Sequence, residues 1–262
     1  MELIIKQDKP RSSLCRLIVL VVGAFLLCPS SAGQDGLELF HKMQKALGGA
    51  EKIAAVSDFE DIVHAQTWNQ AGDAIGTVRK RTRWIRPNHL RLDQVGPGDT
   101  YVLYFDGTGG WEILPDKTVA DLAGGELEFA KKYVRDFQLH KWLADRDSRF
   151  KITSSMPNVI RIADRSDLTH QIEITVDPVT ALPRTETTTS LADPAHPAKS
   201  EVQIEEWLST GGIRFPRRTV TYRNGARVAE ITVDEIKLNR RIESKDLAIK
   251  PSDLQPVMSR QK

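Results

Sequence analysis

The chain has 262 residues, 40% hydrophobic and 27% charged, with a formal net charge of +2. The charge excess and both cysteines, Cys15 and Cys28, lie within residues 1–32; the rest carries as many Lys and Arg as Asp and Glu. That balance lacks the basic excess of a nucleic-acid binder. Beyond residue 32 there is no cysteine to form a disulfide, a thiolate nucleophile or a metal ligand.

Residues 1–32 read as an export signal. Lys6, Lys9, Arg11 and Arg16 form a basic start, an apolar run of 11 residues follows over 17–27, and Ser30, Ser31 and Ala32 supply the small residues before a cleavage site. The run is too short to cross a membrane, which takes roughly 20 apolar residues. The expectation is an exported chain whose folded domain spans residues 33–252, with a loose tail over 253–262. With no disulfide, such a domain depends on its packed core.

Residues 37–55 read as a helix. Leu37, Phe40, Met43 or Gln44, and Leu47 fall at helical spacing, and Gly48-Gly49 stops or breaks it. Strands follow over 59–68 and 76–86. From Arg79 to Pro115 short strands lie end to end. Leu90 and Leu92 alternate with Arg91 and Asp93, and Gly96-Pro97-Gly98-Asp99 turns the chain. Tyr101, Leu103 and Phe105 alternate next, and Asp106-Gly107 turns it again before Trp111 and Ile113. Period-2 alternation punctuated by Gly, Pro and Asp means an antiparallel meander with one dry face. The run Arg79, Lys80, Arg81, Arg83, Arg86 is a cationic stripe that reads as a solvated strand face, with an anion or lipid-headgroup site as the competing reading.

Residues 127–143 break the β pattern. Phe129, Tyr133, Val134, Phe137 and Trp142 recur every three or four residues with Lys and Arg between them, an amphipathic helix with an aromatic face. Gly124-Gly125 would let it pivot. It is either a fixed cover over one end of a sheet or a movable lid with an apolar underside. Strands then return over 158–163, 171–176 and 184–191. A loop over 192–198 follows, then a strand with Val202, Ile204, Glu206 and Leu208 on one face. Strands at 213–222 and 227–238 flank the hairpin signal Asn224-Gly225. The sum is a mainly β chain of the α+β kind, with an N-terminal helix and a central amphipathic helix. Its strongly curved antiparallel sheet of about eleven strands must curl toward a barrel.

Trp84-Ile85-Arg86-Pro87-Asn88, then Leu90 and Leu92, then Asp106-Gly107 and Trp111, resemble the strand series of the periplasmic lipoprotein carriers, the LolA/LolB-like outer-membrane lipoprotein-sorting family. Trp207 followed by Gly212-Ile213-Arg214-Phe215-Pro216 is similar to longer members of that superfamily, and the order helix, meander, helix, meander fits it. The resemblance implies an unclosed antiparallel barrel covered by helices. Its hydrophobic cavity would hold the acyl chains of a lipid or lipoprotein in the periplasm and deliver them toward the outer membrane. It implies Arg86 as the latch between barrel and lid, with Phe129, Tyr133, Phe137 and Trp142 under the lid. The expected cavity lining is Trp84, Leu90, Leu92, Tyr101, Leu103, Phe105 and Trp111. For each of these seven, plain core packing is the competing reading.

Catalytic constellations are poor. There is no His-Glu-x-x-His, Gly-x-Ser-x-Gly or phosphate loop. The six histidines (41, 64, 89, 140, 170 and 196) show no pair at metal-ligand spacing. No catalytic residue, cofactor or metal is expected. The expected partners are acyl chains and a transient membrane-protein donor or acceptor, for a protein that is itself a monomer. Two other readings stand beside the carrier: a periplasmic sensor or interaction module on the same scaffold, and a secreted hydrolase whose site the sequence does not reveal.

Overall fold

The computed structural model describes residues 32–69, 71–96, 100–114, 116–191 and 198–250. Residues 1–31 of the expected leader over 1–32, the tail over 253–262, most of the 192–198 loop and the turn at Pro97-Gly98-Asp99 lie outside them, while Ala32 begins the first helix.

Two helices come first, α1 (Ala32–Leu47) and α2 (Ala50–Ala54). Six strands follow: β1 (Asp58–Trp68), β2 (Ala74–Ile85), β3 (His89–Val95), β4 (Thr100–Phe105), β5 (Gly110–Ile113) and β6 (Val119–Asp121). Helices α3 (Gly124–Arg135) and α4 (Gln138–Lys141) separate them from seven more. These are β7 (Phe150–Met156), β8 (Val159–Asp164), β9 (His170–Val176), β10 (Pro183–Ser190), β11 (Ala198–Thr210), β12 (Ile213–Arg223) and β13 (Ala226–Leu238). A short α5 (Ser244–Leu247) ends the described chain.

All the strands join one antiparallel sheet in the order β6-β5-β4-β3-β2-β1-β13-β12-β11-β10-β9-β8-β7. Each half of the chain is a meander, and the halves meet where the first strand pairs with the last, Phe59 opposite Leu238 and Val63 opposite Val233. The sheet does not close: β6 and β7, consecutive in the chain, form its two opposite edges. The connection between them must therefore pass from edge to edge, and α3 and α4 lie in it. Register shifts in β1, β10 and β11 add local twist to so wide a sheet.

The sequence reading finds eleven of the thirteen strands. β6 is only three residues long, too short to show alternation, and β7 is a half-buried edge strand whose FKITSSM carries little apolar periodicity. The expected helix over 127–143 is broken in two. Phe137 takes an extended backbone (φ −56°, ψ 134°) and drives its ring into the core, edge-on to Phe59 at 5.3 Å and 5.1 Å from Trp84.

α1 covers one end of the sheet with Phe40, Met43 and Leu47, all fully buried. It lies so close to β7 that a Cβ on Gly36 would stand 2.2 Å from the Thr153 backbone. Gly48 and Gly49, both with positive φ, turn the chain between α1 and α2. On the opposite face of the sheet, Tyr104, Trp111, Ile113 and Val119 form a separate cluster capped by Leu247 of α5. Arg91 anchors that cap by donating to the Leu247 carbonyl at 3.0 Å.

Candidate functional site

The central strands are solid at one end and hollow further along. Phe59 on β1 and its partner Trp84 on β2 are sealed in the core with Phe137, Trp142 and Phe215. Four residues on, roughly 13 Å along the strand, Val63 and its partner Lys80 face a cavity of about 500 Å³. Its floor includes Val202 and Ile204 of β11 and Ile231, Val233 and Ile236 of β13. Unlike the core residues beneath α1, these five are only half-buried. Its roof is the edge-to-edge connection, which contributes Phe129, Tyr133, Phe137 and Trp142. All four aromatic residues expected under a lid thus come together over one hollow.

Two features tie the roof down. Gln44 of α1, buried, donates from Nε2 to the Trp142 carbonyl at 2.8 Å and to Asp145 Oδ1 at 2.7 Å. Arg135 at the end of α3 donates to Asp136 at 2.9 Å and Asp167 at 3.0 Å, and His170 closes on Asp136 at 3.1 Å. Burial works against the Asp136 carboxylate, but the hydrogen bonds from His170 and Arg135 outweigh it and hold its pKa below the usual value.

The cavity is not purely apolar. Asp61, Lys80, Lys141 and Glu186 also face it. Lys141, almost fully buried, bonds to Glu186. Lys80 reaches the Tyr133 hydroxyl at 3.4 Å. The Tyr133 oxygen, and to a smaller degree the Asp61 carboxylate, push the Lys80 pKa up against the opposing effect of burial. Burial pushes the Asp61 carboxyl up, although Lys80 and the Thr82 amide, which donates to it at 3.2 Å, pull the other way. Charges in such a setting are costly unless paired. The hollow therefore offers polar anchor points as well as apolar walls.

The residues expected to line a cavity sit outside this one, although Phe105 borders a second hollow beside the same connection. Trp84 is sealed beneath α4, with His140 edge-on at 5.0 Å. Leu90, Leu92, Leu103 and Phe105 pack against Leu122, Ala130 and Val134, so the start of the connection lies directly on β3 and β4. Tyr101 borders that cluster, and burial beside Glu112 pushes its hydroxyl pKa up. Trp111 lies on the other face of the sheet, 5.6 Å from Tyr104 and under α5. None of the seven lines the cavity beneath the aromatic roof.

Arg86 donates from Nε to the Val56 carbonyl at 3.0 Å and from Nη2 to that of Ile53 at 3.2 Å, and stacks 5.2 Å from the Trp84 ring. It fastens the end of β2 to the end of α2, while its contact with the α3–α4 connection runs through Trp84 and His140. The expected cationic face of β2 divides as a pleat requires. Arg81 pairs with Glu60 and Arg83 with Asp93, each at 2.7 Å, while Lys80 points into the cavity.

Among the described residues, no group of three or more His, Cys, Asp or Glu side chains is arranged to hold a metal ion. No helix there is long and apolar enough to cross a membrane.

No family model matches the chain, and no curated protein matches it. Solved structures do. An outer membrane lipoprotein-sorting protein domain from Vibrio parahaemolyticus superposes with a TM-score of 0.54 at 10% identity, over 82% of this chain and 97% of that one. A DUF1329 family protein from Desulfovibrio piger gives 0.58 at 12% identity, over 86% and 99%. A LolA superfamily protein from Nitrosomonas europaea gives 0.56 at 13% identity, over 82% and 97%. At such identities the likeness is one of fold: the chain has the LolA-like fold, an open, curved antiparallel sheet with helices laid across it.

Proposed function

We propose that this protein is an exported, monomeric carrier that holds the acyl chain of a lipid or lipoprotein between the middle of its sheet and the α3–α4 roof, and delivers it toward the outer membrane. In this reading residues 1–32 direct export, residues 33–252 form the single carrier domain, and the periplasm is its compartment. A membrane protein serves as donor or acceptor. The observation that carries the reading is the set of half-buried aliphatic side chains on β11 and β13 facing four aromatic rings across 500 Å³. Moving an acyl chain from water into such a space gains about 0.8 kcal/mol per methylene. Phe129, Tyr133, Phe137 and Trp142 act as the lid. Trp84, Leu90, Leu92, Tyr101, Leu103, Phe105 and Trp111 act as the rigid body that holds the hollow open, and Arg86 latches α2 to it. The role is one of binding, with no catalytic residue assigned.

A second reading is favoured by the charges inside the hollow. Lys80, Asp61, Lys141 and Glu186 are directional groups that a bare acyl chain does not use. They suit a sensor or interaction module that recognises a hydrophobic signal, or a membrane-protein segment, carrying polar atoms of its own.

Native mass spectrometry of the purified protein, before and after organic extraction, tests the proposal. An acyl species that is lost on extraction and regained when lipid is restored supports it. A protein that is empty, and that refuses a lipophilic fluorescent probe, overturns it.

A further inference from the structure

A second hollow, about 680 Å³, lies beside the same connection but is walled by different residues. Lys132, Tyr133, Phe137 and Lys141 face the aromatic-roofed cavity, whereas Lys131, Val134, Arg135 and His140 face this one. The turn after β2, the turn between β4 and β5, and the segment leading into β7 complete it.

Its charge is lopsided. Five of its side chains are cations: Arg86, Lys131, Arg135, Arg146 and Arg149. One is a carboxylate, Asp147. Asp147 is engaged by Arg149 at 2.7 Å. The partners of the other cations lie outside the walls: Glu51 for Arg146, Glu128 for Lys131, Asp136 and Asp167 for Arg135. Among the described residues Arg86 has no carboxylate partner, and Arg135 Nη2 is buried with no hydrogen-bond partner.

The titrations divide: Asp136 and Asp167 raise the Arg135 pKa against burial and Asp147 raises that of Arg149, whereas Arg86 and His140 shift down. The Arg86 pKa is lowered by burial and then by Arg146. That of His140 is lowered mainly by burial; the Val134 carbonyl is the largest influence opposing it, Arg86 and then Arg149 lower it further, and Asp147 pulls up least. Cations gathered in a concave site focus a positive field. Guanidinium forks arriving from several directions suit an oxyanion with several acceptor oxygens better than a single carboxylate.

We propose that this cleft binds a phosphate group, free in solution or as the headgroup of a phospholipid, at a site separate from the acyl cavity. The proposal does not depend on what the acyl cavity holds.

The test is calorimetric titration of the purified protein with inorganic phosphate at low salt. Arg146→Gln and Arg149→Gln are the probing variants, because their side chains are 41% and 60% exposed and their loss leaves the core alone. Arg227→Gln, on β13 and outside the cleft, is the control. The expected result is saturable binding, weakened tenfold or more in both cleft variants and unchanged in the control. Sedimentation with phosphatidylcholine vesicles, with and without phosphatidic acid, separates the sources. Vesicle binding that needs phosphatidic acid and is displaced by phosphate identifies a headgroup site. Phosphate binding without vesicle binding identifies a site for the free anion. Absence of saturable phosphate binding, or equal weakening by Arg227→Gln, overturns the proposal.

Discussion

Lys80 on β2 and Tyr133 on α3 meet across the cavity, ammonium to hydroxyl at 3.4 Å, with the ammonium 5.6 Å from the ring centre. The contact joins the sheet to its roof, and it places a cation beside the Asp61 carboxyl on the neighbouring strand. Replacing Lys80 with Met keeps the apolar stem and removes the charge. The Asp61 carboxyl, already pushed up by burial, is then expected to rise further, because Lys80 is the strongest influence lowering it. A carboxyl-resolved NMR titration of Lys80→Met reads this directly; an unmoved Asp61 would mean that the two groups do not share the cavity.

Two roof aromatics separate stability from binding. Phe137 is 8% exposed and wedged between Phe59 and Trp84, so Phe137→Ala is expected to cost about 3–5 kcal/mol of unfolding free energy, the usual range for a buried Phe. Phe129 is 46% exposed. Phe129→Ala is expected to leave stability within about 1 kcal/mol, as surface substitutions do, while weakening acyl binding several-fold. Urea denaturation of each, alongside probe binding, checks the pair. The reverse pattern would place the core and the site the wrong way round.

Much of this fold is legible in the sequence because period-2 alternation and turn residues report strands locally. The alternation of Leu90 and Leu92 with Arg91 and Asp93 marks β3, and Phe40, Met43 and Leu47 mark the buried face of α1 by spacing alone. The roof was legible for the same reason, an aromatic stripe at helical spacing. The floor was not. Alternation tells which residues share a face; it does not tell whether that face meets a covering helix or a gap. Leu90, Leu103 and Ile231 read alike in sequence, yet the connection sits directly on the first two and stands off the third. Trp111 illustrates a further blind spot: the Asp106–Gly109 turn pairs it with Tyr104 instead of Leu103, which puts it on the far face. The Lys141–Glu186 pair spans 45 positions and leaves no local trace. Bulges defeat the pattern too. Glu205 and Glu206 are adjacent, which in a regular strand puts them on opposite faces, yet both approach Arg218, at 3.1 and 3.9 Å, where the register shifts at Glu206.

Arg86 offers a test of how the two ends of the fold are fastened. Its planar fork reaches two carbonyls at once, which a lysine ammonium on a flexible stem does not reproduce. Arg86→Lys is expected to lower stability by about 1–3 kcal/mol, the worth of charge-assisted hydrogen bonds of this kind. Amide hydrogen exchange is expected to accelerate first in α2. Unchanged exchange there would show that the contact fastens nothing.

His140 sets a pH dependence of defined sign. Its folded pKa lies below the ordinary 6.5, chiefly through burial. Between that folded value and 6.5 the unfolded chain holds more protons than the folded one, so stability is complete above about pH 6.5 and falls as pH drops below it. Carboxylates such as Asp136 and Asp167, with folded pKa values below 3.8, add their own loss only at lower pH. Thermal melts from pH 7.5 to 5 are expected to show falling stability in the wild type and a flatter profile in His140→Gln. Parallel profiles would assign the loss to other groups.

The hollow over β11 and β13 is most directly tested by filling it. Ile231→Trp puts a large ring into the floor without touching the sealed core around Phe59. Equilibrium binding of a fluorescent fatty-acid probe is measured on the wild type and on Ile231→Trp, with melting temperature as the check on folding. The expected result is one saturable site in the wild type and at least tenfold weaker binding in a variant that still melts cooperatively. Equal binding by both proteins, or no binding by the wild type, would contradict an acyl site between the sheet and its aromatic roof.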